Sequence, residues 1–141
     1  MITVFTNGVF DLLHGGHCRL LEWARAQGTR LIVGLNSDDS VRRLKGPHRP
    51  IIPEHDRAEL LLVLKWVDQV IIFNEDTPLE LIIFLRPDVL VKGPDYAGKQ
   101  AVGQEFVESL GGKVMIPNWP TNISTSAIIA KIRDCYDYCG G

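Results

Sequence analysis

Short β-branched and aromatic runs alternate with helix-forming segments along the whole chain, and this alternation constrains the fold more than any other feature. Ile2–Thr6, Arg30–Leu35, Gln69–Phe73, Val89–Lys92 and Lys113–Ile116 are the strand candidates. Between them, apolar spacing and end signals predict helices. The first spans Gly16–Gln27, with Leu20, Leu21 and Ala24 at helical spacing and Gly28 as its stop. A short one covers Asp38–Leu44, and a longer one Glu54–Trp66, behind Pro53 and with Leu60, Leu61 and Leu64 on one face. Thr77 as N-cap and Pro78 in the first turn open a helix to Leu85. Gln100–Leu110 is closed by Gly111-Gly112, and Ser124–Tyr138 is capped by Ser124.

The strands are continuous apolar runs, as when both faces of a sheet are covered. The expectation is an α/β, Rossmann-like, doubly wound fold: a five-stranded, mainly parallel sheet with helices on both faces. Ligands of such sheets bind outside the carboxyl ends of the strands. Functional residues are therefore expected just after Thr6, Leu35, Phe73, Lys92 and Ile116.

A length of 141 residues predicts one domain over 1–141. A formal charge of −2 lacks the basic excess of a nucleic-acid-binding surface, so no nucleic-acid partner is expected. Leu60–Leu64 is typical of the longest apolar runs, far short of the roughly 20 residues of a membrane helix. The first turns contain Asp11 and no early Lys or Arg, unlike a secretory leader, so the reading is cytoplasmic. Cys18, Cys135 and Cys139 are read as reduced thiols. Cys135 and Cys139 are four apart, a spacing that allows one helix face, but no local His completes a zinc set, and no protein metal site is expected.

The loop after the first strand, Thr6–His17, places His14 and His17 around Gly15-Gly16 where a helix begins. The glycines allow close backbone approach, and free N–H groups at a helix N-terminus favour anions. The two imidazoles can donate to phosphate oxygens, where the blander alternative is a cap and a surface residue. There is no HExxH spacing and no GxGxxG fingerprint. Gly93-Pro94-Asp95-Tyr96-Ala97-Gly98-Lys99-Gln100 imitates a Walker A loop, but Gln100 replaces the magnesium-binding hydroxyl and Pro94 removes an N–H.

Ser124, Thr125 and Ser126 put hydroxyls at a helix N-terminus after the fifth strand, a second anion site or a plain cap. Lys45, in the loop RRLKGPHRP with Arg42, Arg43 and Arg49, is a mobile charge suited to closing over phosphates, or part of a solvated basic loop. Lys92 ends the fourth strand and needs an anion or solvent. Arg57 fits an ion pair or a phosphate equally well. Trp23 and Trp66 fit core positions, whereas Trp119 could stack on a base or cover the sheet edge. His48 and His55 read as surface residues, and Tyr136, Tyr138 and Gly140-Gly141 as a frayed end.

The segment TNGVFDLLHGGH resembles GxFDxxHxGH, the signature of the cytidylyltransferase-like (HxGH) nucleotidyltransferases. The likeness continues through Asn36-Ser37-Asp38, Leu44-Lys45-Gly46, Arg49-Pro50, Arg57, Val67-Asp68, Glu75–Pro78, Leu90–Gly93, Asp95-Tyr96 and Ile123–Ser126, covering about residues 2 to 133. The pattern is most similar to the family branch of adenylyltransferases that use ATP and D-glycero-β-D-manno-heptose 1-phosphate to make ADP-heptose. The resemblance implies in-line attack of a sugar-phosphate oxygen on the α-phosphorus, with pyrophosphate leaving and Mg2+ bound to the triphosphate.

It also implies roles. His14, His17 and Lys45 would be catalytic. Asn7, Gly8, Val9, Phe10, His14, His17, Lys92, Ser124, Thr125 and Ser126 would bind nucleotide. Lys45, Arg57, Lys92 and Asp95 would reach the acceptor, and Asp11 would orient the loop. A homodimer is implied too. Trp119-Pro120-Thr121-Asn122 departs from relatives with Gly just before the Ser-Thr pair or a basic residue upstream. That keeps a CTP-using enzyme acting on glycerol 3-phosphate or another polyol phosphate open, alongside a non-catalytic nucleotide-binding protein.

Overall fold

A computed structural model describes residues 1–120 and 123–140, apart from the side chains of 137–140. The elements run β1 (Thr3–Gly8), α1 (Gly15–Arg25), β2 (Arg30–Asn36), α2 (Asp38–Lys45), α3 (Glu54–Leu62), β3 (Gln69–Phe73), α4 (Leu79–Leu85), β4 (Val89–Val91), a 3-10 turn at Pro94–Tyr96, α5 (Gln104–Ser109), β5 (Lys113–Met115) and α6 (Thr125–Gly140). The sheet is five-stranded in the order β3-β2-β1-β4-β5, and every pairing is parallel. The expected doubly wound α/β architecture is thus present, with the sheet wholly parallel.

Side chains alternate between two cores, as the pleat requires. Val4, Leu31, Val33, Val89 and Val91 join Leu21, Ala24 and Leu61 of α1 and α3 on one face. Phe5, Ile32 and Leu90 join Ile82 and Val107 of α4 and α5 on the other. Gly34 makes room on that second face: a Cβ there would lie 2.7 Å from the Phe5 ring. Trp23 and Trp66 pack, partly buried, against the first core as expected.

Several boundaries differ from the sequence reading. α5 begins at Gln104 rather than Gln100, because Gly103 at φ +85 turns the chain immediately before it. α4 begins at Leu79 with Pro78 as its cap, and Thr77 Oγ1 lies 3.5 Å from Leu79 N. α3 stops at Leu62, and the chain to Trp66 continues as turns. Lys45 belongs to the last turn of α2 rather than a loop, and Gly46 at φ +104 ends that helix. Cys18 and Cys135 are free thiols. The expectations for Tyr138, Cys139, Gly140-Gly141 and the Thr121-Asn122 pair fall, in whole or in side chain, outside the described residues. Among the described residues no helix is long and apolar enough to cross a membrane.

Candidate active site

β1 and α1 are joined through Val9–His14, where Phe10 and Leu12 both take φ 50. Non-glycine residues avoid that left-handed region, so the bend has to be held by its surroundings. Asp11, between them, does this. Its buried carboxylate accepts the N–H groups of Ile51 at 2.7 Å and Ile52 at 3.0 Å, and Arg49 Nε at 3.3 Å. Its carbonyl accepts the Thr125 hydroxyl at 2.6 Å. One residue thereby joins the loop after β1, the segment before α3 and the start of α6.

The two histidines cap α1 reciprocally. His14 is the N-cap, and its Nδ1 accepts from Gly16 N–H at 3.1 Å. His17 Nδ1 accepts from His14 N–H at 3.2 Å. This is a capping box built from imidazoles. The rings stack with centroids 3.7 Å apart, and Phe10 lies 5.2 Å from His17 on another side.

An Nδ1 that accepts from backbone carries no proton, so each neutral ring bears its hydrogen on Nε2. Burial lowers the His17 pKa to about 4, with the neighbouring His14 adding to the effect and Asp11 opposing it. Burial lowers that of His14 too. At neutral pH the pair is two uncharged Nε2–H donors in fixed orientation.

These residues line a cavity of about 620 Å³. Its walls come from Val9–Asp11 and the start of α1, Lys45 and Arg49 after β2, Gly93–Asp95 after β4, and Trp119–Pro120 with Ile123–Ser126 after β5. The ends of β1, β4 and β5 therefore converge, while the β2 side contributes through the end of α2 and the segment after it rather than through the residues next to Leu35. The end of β3 contributes nothing to this wall. Its following residues brace α2 instead: Ser37 Oγ donates to Asn74 Oδ1 at 2.7 Å, and Ser40 Oγ to the Glu75 carbonyl at 3.1 Å.

His14, His17, Lys45, Val9, Phe10, Asp95 and the Ser124–Ser126 triplet all reach this cavity. Thr125 spends its hydroxyl proton on Asp11, and Ser124 Oγ accepts from Ala127 N–H at 3.0 Å as a cap. Arg57 is a correction. Expected to reach the acceptor, it is fully buried away from the cavity wall. Its guanidinium donates to the carbonyls of Ile52, Val9 and Asn36 and to the Asp38 carboxylate, at 2.8–2.9 Å. That commits four of its five N–H groups within the protein, so the ion-pair alternative is the one the structure adopts.

Asn7, Gly8 and Lys92 also lie off the wall. The buried Lys92 ammonium donates to Asn7 Oδ1 and sits 5.5 Å from the Tyr96 ring, and burial lowers its pKa to about 8. Arg42 and Arg43 pair with Asp39 and Asp76 rather than with the site. The Walker-like segment forms a 3-10 turn, and only Gly93–Asp95 of it touches the cavity. His48 and His55 are exposed.

Arg19 was missed by the sequence reading. It lines the cavity with its guanidinium 4.3 Å over the Trp119 ring. Its only signal is its spacing, one turn after Gly15-Gly16. Trp119 itself packs edge-on against Trp23, with centroids 5.8 Å apart.

The Cytidylyltransferase-like family model matches residues 5–131, nearly the whole chain. The chain belongs to that family. As a cytidylyltransferase-like protein, it is a nucleotidyltransferase. It is 54% identical over 134 residues to the bifunctional protein HldE of Syntrophotalea carbinolica, covering 95% of this chain and 27% of that protein. It is 58% identical over 130 residues to the protein of the same name in Geotalea uraniireducens, covering 92% and 26%. The chain thus spans about a quarter of the curated relatives it matches.

Among solved structures, the lipopolysaccharide core biosynthesis protein of Thermoplasma volcanium superposes with a TM-score of 0.70 at 33% identity, covering 87% of this chain and 99% of that one. Pantothenate synthetase of Thermus thermophilus shares the fold, with a TM-score of 0.58 at 18% identity, covering 88% and 57%.

Proposed function

We propose that this cytidylyltransferase-like chain transfers AMP from ATP to a sugar 1-phosphate, D-glycero-β-D-manno-heptose 1-phosphate, forming ADP-heptose and pyrophosphate. The reciprocal histidine cap carries this reading. It aims two neutral Nε2–H donors from the loop after β1, at the edge of the sheet where ligands bind.

An acceptor phosphate oxygen is already ionised at neutral pH, so no strong base is required. It attacks the α-phosphorus; one P–O bond forms, and the bond to the pyrophosphate oxygen breaks. His14 and His17 donate to the α-phosphoryl oxygens as charge builds there. Val9 and Phe10 flank the nucleotide, Lys45 and Arg49 attract the acceptor phosphate, and Ser124 and Ser126 donate to the triphosphate. Asp11 and Arg57 hold the loops that carry these groups.

Magnesium, when bound, neutralises charge on the triphosphate. Asp11 has both oxygens engaged, which leaves Asp95 as the carboxylate on the wall able to assist. The donor set thus fits an ion that arrives with its nucleotide. The choice of heptose 1-phosphate and ATP rests on the HldE relatives and the motif resemblance, and the same resemblance carries a homodimer, checked by mass in solution.

The deciding experiment is pyrophosphate release with magnesium, across ATP, CTP, GTP and UTP, each with and without heptose 1-phosphate. Release with ATP plus the sugar phosphate alone is expected. Release with CTP and glycerol 3-phosphate instead would move the substrate pair. No release with any pair, in a folded chain that binds nucleotide, would replace the enzyme with a binding protein.

A further inference from the structure

We propose that Arg19, held over Trp119, is the residue that takes the pyrophosphate end of the nucleotide. The inference rests on the nucleotidyl-transfer reading and adds a residue that the family signature does not contain.

Topology is the first support. The loop after β1 carries His14 and His17, and β1 is flanked by β2 on one side and β4 on the other. Lys45 and Arg49 belong to the β2 side; Trp119 and Ser124–Ser126 follow β5, beyond β4. Arg19 reaches from α1 to the Trp119 side. Cationic groups therefore come to the cavity of the histidine pair from two different segments, one following β2 and one packed against the segment after β5. In-line displacement at phosphorus uses separate cationic groups for the entering and leaving oxygens, which occupy opposite faces. With the acceptor phosphate on the Lys45 side, the leaving pyrophosphate falls on the Arg19 side. Among the described residues, the hydroxyl hydrogens of Ser124 and Ser126 on that side have no acceptor.

The state of the guanidinium is the second support. Arg19 is exposed on the cavity wall, and among the described residues it forms no ion pair with a carboxylate. A guanidinium held over an indole face by its charge keeps N–H groups for another acceptor. The stack is itself anchored, because Trp119 meets Trp23 edge-on and Trp23 packs against the core. A fork of donors without a carboxylate partner among the described residues suits the two phosphoryl groups of pyrophosphate. The same Trp119 cannot present that covered face to a base, so Trp119 serves here as a platform for Arg19.

The test is calorimetric binding of AMP and of ATP, with magnesium, to the full 141-residue chain, to Arg19→Met and to Arg19→Lys. Arg19→Met should weaken ATP by roughly ten- to hundredfold, the range for a lost charge-assisted hydrogen bond, and leave AMP unchanged. Arg19→Lys should recover part of the loss. Because Arg19 is exposed, both variants should keep the wild-type melting temperature. Equal weakening of AMP and ATP, or unchanged ATP binding in Arg19→Met, would overturn the assignment while leaving nucleotidyl transfer in place. Failure of the unaltered chain to bind either nucleotide would overturn the transferase reading, and this inference with it.

Discussion

The two sides of the cavity are held together by different means. On one side, His14 and His17 are fixed by hydrogen bonds that reach two or three residues along the chain. On the other, the Arg49–Ile52 segment is fixed by Asp11, about forty residues away, and by Arg57. A local device sets the direction of the reactive donors, and a buried long-range network sets the distance at which Lys45 and Arg49 stand from them. Damage to the first should change chemistry with little effect on stability. Damage to the second should unfold the site before it changes any single step.

The largest effect should come from His17→Ala. Loss of one positioned donor predicts a fall in kcat of about 10²–10³. The accompanying loss of a cap acceptor costs stability only about 1 kcal/mol. Steady-state rates and thermal melts on the same preparation separate the two. Asp11→Ala should reverse the balance. It leaves Arg49 and two N–H groups without their buried acceptor, a loss of about 3 kcal/mol in denaturant unfolding. A variant with wild-type stability would show that the network does not hold the segment.

Lys45→Ala sharpens the contrast from the exposed end of α2. It should raise the KM of the acceptor about tenfold, ~1.4 kcal/mol, with stability within about 0.5 kcal/mol of wild type. Unchanged kinetics would remove Lys45 from the site.

A smaller effect concerns Lys92. Its folded-state pKa of about 8 lies below the ordinary 10.5. Between those values the unfolded chain holds more protons, so stability should rise as pH climbs from 8 to 10.5. Lys92→Met should remove that part of the slope in denaturant melts taken across the range, and an identical slope would place the cause elsewhere.

The same contrast explains what was legible beforehand. The alternation of apolar runs with helical segments depends on local periodicity, and it announced the doubly wound sheet and nearly every element. The motif around His14 and His17 is contiguous, so its position at the sheet edge followed at once. Arg57 was ambiguous because its partners, Val9, Asn36, Ile52 and Asp38, come from separate elements that only folding assembles. Arg19 was invisible because its significance depends on Trp119, a hundred residues away. That the residues after β3 brace Ser37 and Ser40 rather than enter the cavity follows from contacts between separate elements, not from the strand's own residues.

The measurement that bears most directly on the central claim is nitrogen-15 NMR of the histidine side chains through a pH titration. The reciprocal cap predicts that His14 and His17 are both neutral at pH 7, with the proton on Nε2 and none on Nδ1. His17 should stay uncharged until the pH approaches about 4. A proton on Nδ1 of either ring, or titration of His17 near its ordinary 6.5, would contradict the account of two locked neutral donors.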